Sequence, residues 1–334
     1  MSAAALTFAG DGGAVQAVDG LYLKRQADRD ADERIASGGL WFVLDSRQVG
    51  KSSLLIRALQ DAEAAGVRVV YEDLSTVCAT EPRHLFASMA GNLGLDGDAF
   101  AGLADDRIAD RFQEMAVESA VGDRLLLLLD EVDAIMSCAA RSSFLRALEN
   151  MPGNFSIGVA GMGLPADLSG EQGPGPLVRE RRVFLRDFTL AELQPAEILL
   201  HRADAHVVVE RVWYWTSGHP FLTMNLLAKV QETGEDVDAA VERLYLNQPA
   251  DHSRNLYFVE TQLERGCLPL YRRLLKGEAV SYNASEDVQR LLLSGIAVRD
   301  GDALRVRNRL YQTYFDEKRL ALIEGAGPFE TPGS

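Results

Sequence analysis

The segment DSRQVGKSS, residues 45–53, joins two stretches of opposite character. Before it, LWFVLD (40–45) is a short, almost fully apolar run, which is typical of a strand buried on both faces. After it, KSSLLIRALQDAEAA (51–65) places its leucines on one side of a helix. A turn that ends in Gly-Lys-Ser between a buried strand and a helix is the context of a phosphate-binding P-loop.

The residue types in this loop suit a nucleotide phosphate. Gly50 lets the backbone approach phosphate oxygens, Lys51 supplies a positive charge, and the Ser52 hydroxyl is a magnesium ligand. The helix that begins here adds free backbone N–H groups and the positive end of its dipole. The sequence therefore predicts a nucleotide site formed by Arg47, Gln48, Val49, Gly50, Lys51, Ser52 and Ser53.

A second motif, LLLLLDEVD (125–133), lies about eighty residues downstream. It predicts a buried strand that delivers Asp130 and Glu131 to its carboxyl end, where ligands bind in open α/β sheets. Asp130 is expected to hold Mg²⁺, and Glu131 to orient or deprotonate the attacking water. Lys51 and Glu131 are thus the predicted catalytic residues, and Ser52 and Asp130 are the predicted metal ligands.

Strands and helices alternate through the first half of the chain. We predict strands at 40–45, 67–74, 125–133, 155–161 and 182–188, and helices at 24–37, 51–65, 82–93, 105–120 and 140–150. This alternation predicts an α/β fold with a parallel sheet covered by helices on both faces. A long loop rich in Gly and Pro, 164–180, lies between the last two strands, where such a connection is usually functional.

After residue 189 the pattern becomes helical. Predicted helices occupy 189–203, 204–216, 220–232, 235–246 and 253–275. The segment 288–315 then predicts a helix, two strands joined by an Asp-Gly turn, and a closing helix, which is the arrangement of a winged helix.

Composition excludes several classes of protein. The chain has 334 residues, with 34 Lys and Arg against 49 Asp and Glu, a net charge of −15. That charge disfavours nucleic acid as a partner. Three separated cysteines without a CxxC pair indicate a reducing compartment. No run reaches the roughly 18 apolar residues of a membrane helix, and the N-terminus lacks the features of a signal peptide, so we expect a cytoplasmic protein without a membrane partner.

Asp45 departs from the P-loop pattern, which has glycine at this position. Aspartate tolerates left-handed backbone better than most residues, but its charge repels phosphate. At about 5 Å, with an effective dielectric near 20, that repulsion costs about 3 kcal/mol. Such a cost weakens binding by up to roughly a hundredfold, so turnover is expected to be impaired.

The motifs together resemble the bacterial AAA-like domains of the STAND class of signal-transduction ATPases. The resemblance spans roughly residues 20–318. It is carried by LYLKRQADRDADERIASGGLWFVLDSRQVGKSSLL (21–55), LLLLDEVD (126–133), AGMGLPADL (160–168), VFLRDFTLAEL (183–193), TSGHPFLTMNLL (216–227) and VRNRLYQTYF (306–315). The family is related to archaeal origin-recognition-type ATPases.

The resemblance implies ATP or ADP with Mg²⁺, and three functional parts. These are a P-loop ATPase core at 20–189, a helical lid at 190–248 and a winged helix at 249–322, with a flexible leader at 1–19 and a tail at 323–334. His219 and Pro220, within Gly218-His219-Pro220, match the lid motif that packs against the nucleotide. The alternative for His219 is a polar residue at a helix start. Tyr22 and Arg25 are expected near the base.

Two sets of arginines allow two interpretations each. Arg179, Arg181 and Arg182 could offer an arginine finger to a neighbouring subunit, with Arg179 and Arg182 as the candidates, or they could form a basic strand edge. Arg305, Arg307 and Arg309 in the predicted wing could touch nucleic acid, although the many acids nearby argue against it.

The sequence is compatible with three functions. The first is a slowly hydrolysing ATP/ADP switch that acts on a protein effector or by self-association. The second is a nucleotide-responsive scaffold that does not hydrolyse, which Asp45 favours. The third is an origin-recognition-like, DNA-binding ATPase.

Overall fold

The computed structural model describes residues 22–76, 81–119, 124–136, 138, 140–149, 151, 154–163 and 181–326. In the first half of the chain the strands are β1 (Gly39–Leu44), β2 (Arg68–Asp73), β3 (Leu125–Asp130) and β4 (Phe155–Gly161). The helices there are α1 (Gln26–Ser37), α2 (Lys51–Ala64), α3 (Pro82–Asn92), α4 (Asp105–Ser119), α5 (Asp133–Met136) and α6 (Arg141–Glu149).

The described strands β1–β4 form one parallel sheet in the order β1-β4-β3-β2. Alternate residues of a strand point to opposite faces. Phe42, Leu127 and Ile157 accordingly pack with helices α3, α4 and α6 on one face, whereas Trp41 and Leu128 pack with α1 and α2 on the other. The predicted α/β fold, with a parallel sheet between helical layers, is confirmed.

The register brings the functional strand ends to one level. Leu44 of β1 pairs with Gly161 of β4, and the backbone N–H of Val132, just after β3, donates to the carbonyl of Ala160. Gly161 leaves no room for a side chain, since a Cβ there would lie 2.6 Å from Cγ1 of Val132. The P-loop and the acids of β3 therefore share the carboxyl edge of the sheet.

The predicted strand over 182–188 is wrong. This segment meets β1 through a single parallel bridge between Phe42 and Arg182, and the N–H of Val183 donates to the Phe42 carbonyl. The remainder of the segment is extended but forms no ladder among the described residues.

The C-terminal helical region, residues 190–326, begins with α7 (Leu190–Leu200), α8 (Ala205–Thr216), α9 (Pro220–Thr233) and α10 (Val237–Val241), which continues as a π-helical turn to Leu246. The predicted helix over 253–275 is interrupted. It comprises α11 (Arg254–Gln262) and α12 (Leu268–Leu275), separated by a kink at Gly266, whose φ is +117°.

The chain then forms the predicted helix and hairpin. These are α13 (Glu286–Leu293), the antiparallel strands β5 (Ala297–Asp300) and β6 (Ala303–Val306), α14 (Arg309–Tyr314) and α15 (Glu317–Ala326). The two turn residues are Gly301 and Asp302, one position later than the predicted Asp-Gly turn, and Gly301 at the first position has a positive φ. A single hydrophobic cluster runs through the whole C-terminal helical region as far as Ile323, and it also includes Leu23 and Phe188.

Among the described residues, no helix is both long and apolar enough to cross a membrane.

Candidate functional site

The P-loop leaves β1 at Leu44 and enters α2 at Lys51. Gly50 precedes the helix with φ +94°, and a Cβ there would lie 2.7 Å from Nη2 of Arg25. The positive φ favours glycine, because other side chains are strained there, and a Cβ would also displace the end of the Arg25 side chain. Gln48 also has a positive φ, of 62°. Strained backbone at non-glycine positions is concentrated at functional sites.

Lys51 points back into the loop. Its buried ammonium donates to the carbonyl of Ser46 at 2.7 Å and to that of Asp45 at 3.3 Å. Burial lowers the pKa of Lys51, and nearby carboxylates act in the opposite direction. In decreasing order of effect, these belong to Asp45, Glu131, Asp133 and Asp130. The strand register places the loop that carries this amine and the acids after β3 at the same edge of the sheet.

Asp130 is a buried carboxylate whose two oxygens are both engaged. Its Oδ1 accepts the backbone N–H of Glu131 at 2.9 Å, and its Oδ2 accepts the hydroxyl of Tyr71, on β2, at 2.9 Å. Burial and the Asp130 charge raise the pKa of Tyr71, so its hydroxyl remains a donor. Each Asp130 oxygen retains a second lone pair for a metal ion or a metal-bound water.

Glu131 has left-handed backbone, with φ +53°, which turns the chain sharply after β3. Burial raises the pKa of its carboxyl, and the charges of Asp133 and Asp130 add to that effect, whereas Lys51 and Arg47 oppose it. A glutamate with a raised pKa is a stronger base than an ordinary one, as general-base catalysis requires.

Asp133 is a further acid of this edge. Its Oδ1 accepts the backbone N–H of Met162, at the end of β4, at 2.8 Å. Sequence reasoning missed Asp133 as a site residue, although it stands two positions after Glu131 in the same LLLLLDEVD motif.

Asp45 is half-buried at the start of the loop, and its Oδ1 accepts the N–H of Ser46 at 2.7 Å. Asp45 does not have a positive φ, so its backbone conformation does not require glycine. The negative charge of Asp45 thus lies within the loop itself and partly offsets the charge of Lys51.

Arg25 contacts the loop directly, whereas Tyr22 contacts Asp28 in the first turn of α1. Arg25 is buried, donates to the carbonyls of Val49 at 3.0 Å and Arg186 at 3.2 Å, and lies 5.0 Å from the centre of the Phe188 ring. The Tyr22 hydroxyl donates to Asp28 at 2.6 Å, and Asp28 also accepts the Arg25 N–H. The contact of either residue with a nucleotide base stays a prediction.

Three consecutive P-loop residues contact the C-terminal helical region. The Ser46 hydroxyl accepts from Nη1 of Arg307 at 3.2 Å. The Arg47 guanidinium lies 5.1 Å from the centre of the Phe258 ring. The Gln48 side-chain oxygen accepts from the Asn255 amide at 2.7 Å. Asn255 and Phe258 are three residues apart on α11, so they occupy one face of that helix.

Arg307 is held in this position by a buried ion pair. Its guanidinium donates to both carboxylate oxygens of Asp187, with Nε at 2.9 Å and Nη2 at 2.5 Å. Burial alone would raise the pKa of Asp187, but the Arg307 charge outweighs it and keeps that pKa below its ordinary value. Arg307 is only 4% exposed and so is not presented to an external phosphate backbone.

The neighbouring basic residues of the hairpin are also engaged. Arg305 donates to the carbonyls of Val306 and Arg307, and the Arg309 guanidinium lies 4.2 Å from the centre of the Tyr214 ring. The three arginines of the predicted wing therefore do not form one basic surface.

Gly218-His219-Pro220 lies where α8 ends and α9 begins. A Cβ on Gly218 would lie 1.9 Å from the Phe188 carbonyl oxygen, and the Phe188 N–H donates to the Gly218 carbonyl at 2.8 Å. His219 is fully buried before α9, with Pro220 as the first residue of that helix. Its ring meets the Tyr311 ring edge-on, with centroids 6.0 Å apart.

The charge state of His219 follows from its surroundings. Burial lowers its pKa to about 3, and the charge of Arg307 acts in the same direction. The imidazole is therefore neutral at pH 7, and any role at a phosphate is that of a neutral donor. Its Nδ1 accepts the Leu222 N–H at 3.5 Å, which is a helix-capping contact. Contact of His219 or Pro220 with a nucleotide stays a prediction.

Of the candidate arginine fingers, only Arg182 lies among the described residues. Arg179 lies outside the described residues. Arg182 donates to the Leu44 carbonyl at 2.6 Å and lies 4.7 Å from the centre of the Phe184 ring. Arg181 donates to the Leu40 carbonyl at 3.1 Å. Arg181 and Arg182 thus contact β1 of their own chain, as a basic strand edge would.

The residues present fit a phosphate group and its magnesium. Gly50, the buried Lys51 ammonium and the start of α2 form a cradle for an anion, and the Asp130 carboxylate faces the same edge. Among the described residues, no cluster of three or more His, Cys, Asp or Glu side chains could hold a metal alone.

No family model matches this chain. An uncharacterized WD repeat-containing protein of Synechocystis sp. (strain ATCC 27184 / PCC 6803 / Kazusa) is 25% identical to it over 353 residues. The similarity covers 91% of this chain and 30% of that protein, so the chain spans less than a third of the relative's length.

Solved structures with a similar fold include a Walker-type ATPase of Pyrococcus abyssi. That likeness has a TM-score of 0.57 and 15% identity, and it covers 91% of this chain and 98% of the other. A STAND protein with a tetratricopeptide repeat sensor from Pyrococcus horikoshii gives a TM-score of 0.45 and 14% identity, covering 93% and 45% of the two chains. The likeness to the Walker-type ATPase, together with the sheet order and the P-loop, shows that the chain has the P-loop NTPase fold.

Proposed function

We propose that this chain is an ATP- and ADP-binding switch of the AAA-like, STAND type, which hydrolyses ATP slowly and whose C-terminal helical region closes over the P-loop. In this proposal residues 20–189 are the ATPase core, 190–248 a lid and 249–322 a winged helix. The protein acts in the cytoplasm, on a protein effector or by self-association.

One observation carries the proposal: Ser46, Arg47 and Gln48 each contact a side chain of the C-terminal helical region. Side chains of the region reach the loop that would hold the nucleotide phosphates. A change in what this loop binds therefore alters contacts with the C-terminal helical region directly. A nucleotide switch needs such a connection, because a ligand shifts a conformational equilibrium only through different interactions with its two states.

Each step of nucleotide binding and hydrolysis has a candidate residue in this chain. The backbone of 47–53 and the Lys51 ammonium would bind the phosphates, and Ser52 and Asp130 would hold Mg²⁺. The metal ion, when bound, neutralises charge that develops on the phosphates. Glu131, with its raised pKa, would accept a proton from the attacking water.

Slow hydrolysis is the part of the proposal that Asp45 supports. Its carboxylate remains in the loop beside Lys51 and opposes the arrival of phosphate. Slow turnover suits a switch, since the triphosphate state then lasts long enough to be read.

The contact between α11 and the P-loop gives a direct test. Phe258→Lys places an ammonium against the Arg47 guanidinium, which should loosen the closed form and speed ADP release by about tenfold. Tyr257→Lys is the matched control, because Tyr257 neighbours Phe258 on the same helix but is 59% exposed. The readout is dissociation of a fluorescent ADP analogue after dilution into excess ADP.

Equal release rates in the two variants would exclude control of the site by α11. Absence of ADP and ATP binding in the unaltered chain would exclude the proposed function altogether.

The scaffold alternative, favoured by Asp45, differs only in turnover. Steady-state phosphate release from the unaltered chain should exceed that of Glu131→Gln by at least tenfold if Glu131 acts as the base. Equal, background-level release in both chains, with ATP binding retained, would select the non-hydrolysing scaffold.

A further inference from the structure

Tyr71 is a residue that the motifs do not mark. It lies on β2, the strand at the edge of the sheet beyond β3, and pairs in register with Leu128. Asp130 is two residues further along β3, on the same face, so the tyrosine ring can reach it diagonally. The hydroxyl donates to Oδ2 of Asp130 at 2.9 Å.

The Asp130 carboxylate is fixed from two sides. The Glu131 N–H holds Oδ1 and the Tyr71 hydroxyl holds Oδ2. With one donor on each oxygen, the carboxylate plane cannot rotate without losing a hydrogen bond, and the carboxylate is buried. The free lone pairs of both oxygens therefore keep one direction.

We infer that Tyr71 is a positioning residue for magnesium binding, because it holds the Asp130 carboxylate in the orientation that receives the ion. The inference rests on the proposed function, since it concerns the metal that accompanies the nucleotide. Partners that orient metal-binding carboxylates commonly contribute ten- to a hundredfold to metal affinity.

Tyr71→Phe removes only the hydroxyl and keeps the ring that packs beside α2. The affinity for ADP is measured as a function of Mg²⁺ concentration. We expect the Mg²⁺ concentration that gives half of the maximal gain in affinity to rise at least tenfold. The affinity for ADP in EDTA, which does not involve the ion, should stay within about twofold of the unaltered chain. A merely structural role would change both affinities together, or neither.

Tyr314→Phe is the matched control. It also removes a hydroxyl donor, from a hydrogen bond to the Gln248 carbonyl at 3.1 Å in the C-terminal helical region. Its Mg²⁺ half-saturation should equal that of the unaltered chain. Mn²⁺ binding followed by electron paramagnetic resonance, with ADP present, gives a second readout that does not depend on activity.

The outcomes separate the inference from the proposed function. If the unaltered chain binds ADP in a Mg²⁺-dependent way and Tyr71→Phe does so equally well, the role of Tyr71 is wrong and the proposed function stands. If the unaltered chain binds no nucleotide, or binds it without regard to Mg²⁺, both the inference and its basis fail.

Discussion

The P-loop and the C-terminal helical region contribute to the same site in different ways. At the P-loop, the important contacts are between residues close in sequence: Lys51 reaches the carbonyls of Asp45 and Ser46, five or six positions away. From the C-terminal helical region, the contacts span great sequence distances, since Arg307 and Ser46 are 261 positions apart and Asn255 and Gln48 are 207 apart.

The comparison separates residues for phosphate chemistry from residues that regulate the site. The groups that would handle phosphate sit in two short motifs and depend on local geometry. The groups that could regulate access to them are single side chains whose partners are fixed only by the packed structure. Substitutions in the P-loop should therefore change nucleotide binding, whereas substitutions in the C-terminal helical region should mainly change stability.

The largest effect is expected from Arg307→Ala. It leaves the Asp187 carboxylate, whose side chain is only 17% exposed, without its partner, so the free energy of unfolding should fall by about 3 kcal/mol. Urea denaturation followed by circular dichroism measures this loss.

Two further variants sharpen that test. Arg290→Ala breaks an exposed pair with Glu286 and should cost at most about 1 kcal/mol. The double variant with Arg307→Met and Asp187→Leu should recover most of the loss, since neither charge is then left alone. If Arg307→Ala lowers the free energy of unfolding no more than Arg290→Ala does, the Arg307–Asp187 ion pair does not stabilise the fold more than an exposed pair.

A smaller effect concerns His219 and pH. Its folded-state pKa of about 3 lies below the ordinary value of 6.5. Its contribution to stability is therefore complete above pH 6.5 and is lost as the pH falls toward 3, because the unfolded chain binds the proton first. At pH 5 the loss from this residue amounts to about 2 kcal/mol.

The measurement is the difference in unfolding free energy between pH 7.5 and pH 5. In His219→Asn, which keeps a capping side chain before α9, that difference should shrink by about 2 kcal/mol. His206→Asn, at an exposed position of α8, should leave the difference unchanged. An unchanged difference in His219→Asn would show that the imidazole is not buried in its neutral form.

The smallest effect is expected at Asp45. Asp45→Gly should tighten ATP binding by about tenfold, because the repulsion of about 3 kcal/mol is an upper figure for a site open to water. Isothermal titration calorimetry measures the affinity.

Asp45→Asn separates charge from backbone freedom, since the amide oxygen can still accept the Ser46 N–H. Charge repulsion predicts tighter binding in both variants, whereas a need for glycine backbone predicts it in Asp45→Gly alone. Unchanged or weaker affinity in both would remove the argument that Asp45 opposes phosphate.

Much of the fold could be predicted because its signals are local. The buried runs of β1 and β3, the helix start at Lys51 and the hairpin turn at Gly301 each depend on residues adjacent in sequence. The structure also brings Lys51 to the edge that carries the acids of β3, as the order of the two motifs indicates.

The predicted strand over 182–188 failed for a physical reason. Its groups are used by other partners: the Arg186 carbonyl accepts from Arg25, Asp187 pairs with Arg307, and the Phe188 N–H donates to Gly218. The Arg186 carbonyl and the Phe188 N–H are therefore not available for a ladder with β1, although the composition of the segment resembles that of a strand.

The same reason explains the site residues that sequence reasoning missed. Nothing near Asn255 or Phe258 in sequence marks them as partners of the P-loop. Arg307 stood out only as one of three alternating arginines, a pattern that suggested an exposed basic surface. Its burial depends on Asp187, 120 positions away, and a single sequence carries no signal of that distance.

The continuous hydrophobic cluster of the C-terminal helical region has a consequence for how the chain can be divided. Val241 and Tyr245, before the proposed lid boundary, share that cluster with Leu256 and Val259, after it. Dividing the chain between Tyr245 and Leu256 would expose apolar surface on both fragments. Neither fragment should therefore be soluble or well folded when expressed by itself. Shortened versions of this protein should accordingly keep residues 190–326 together.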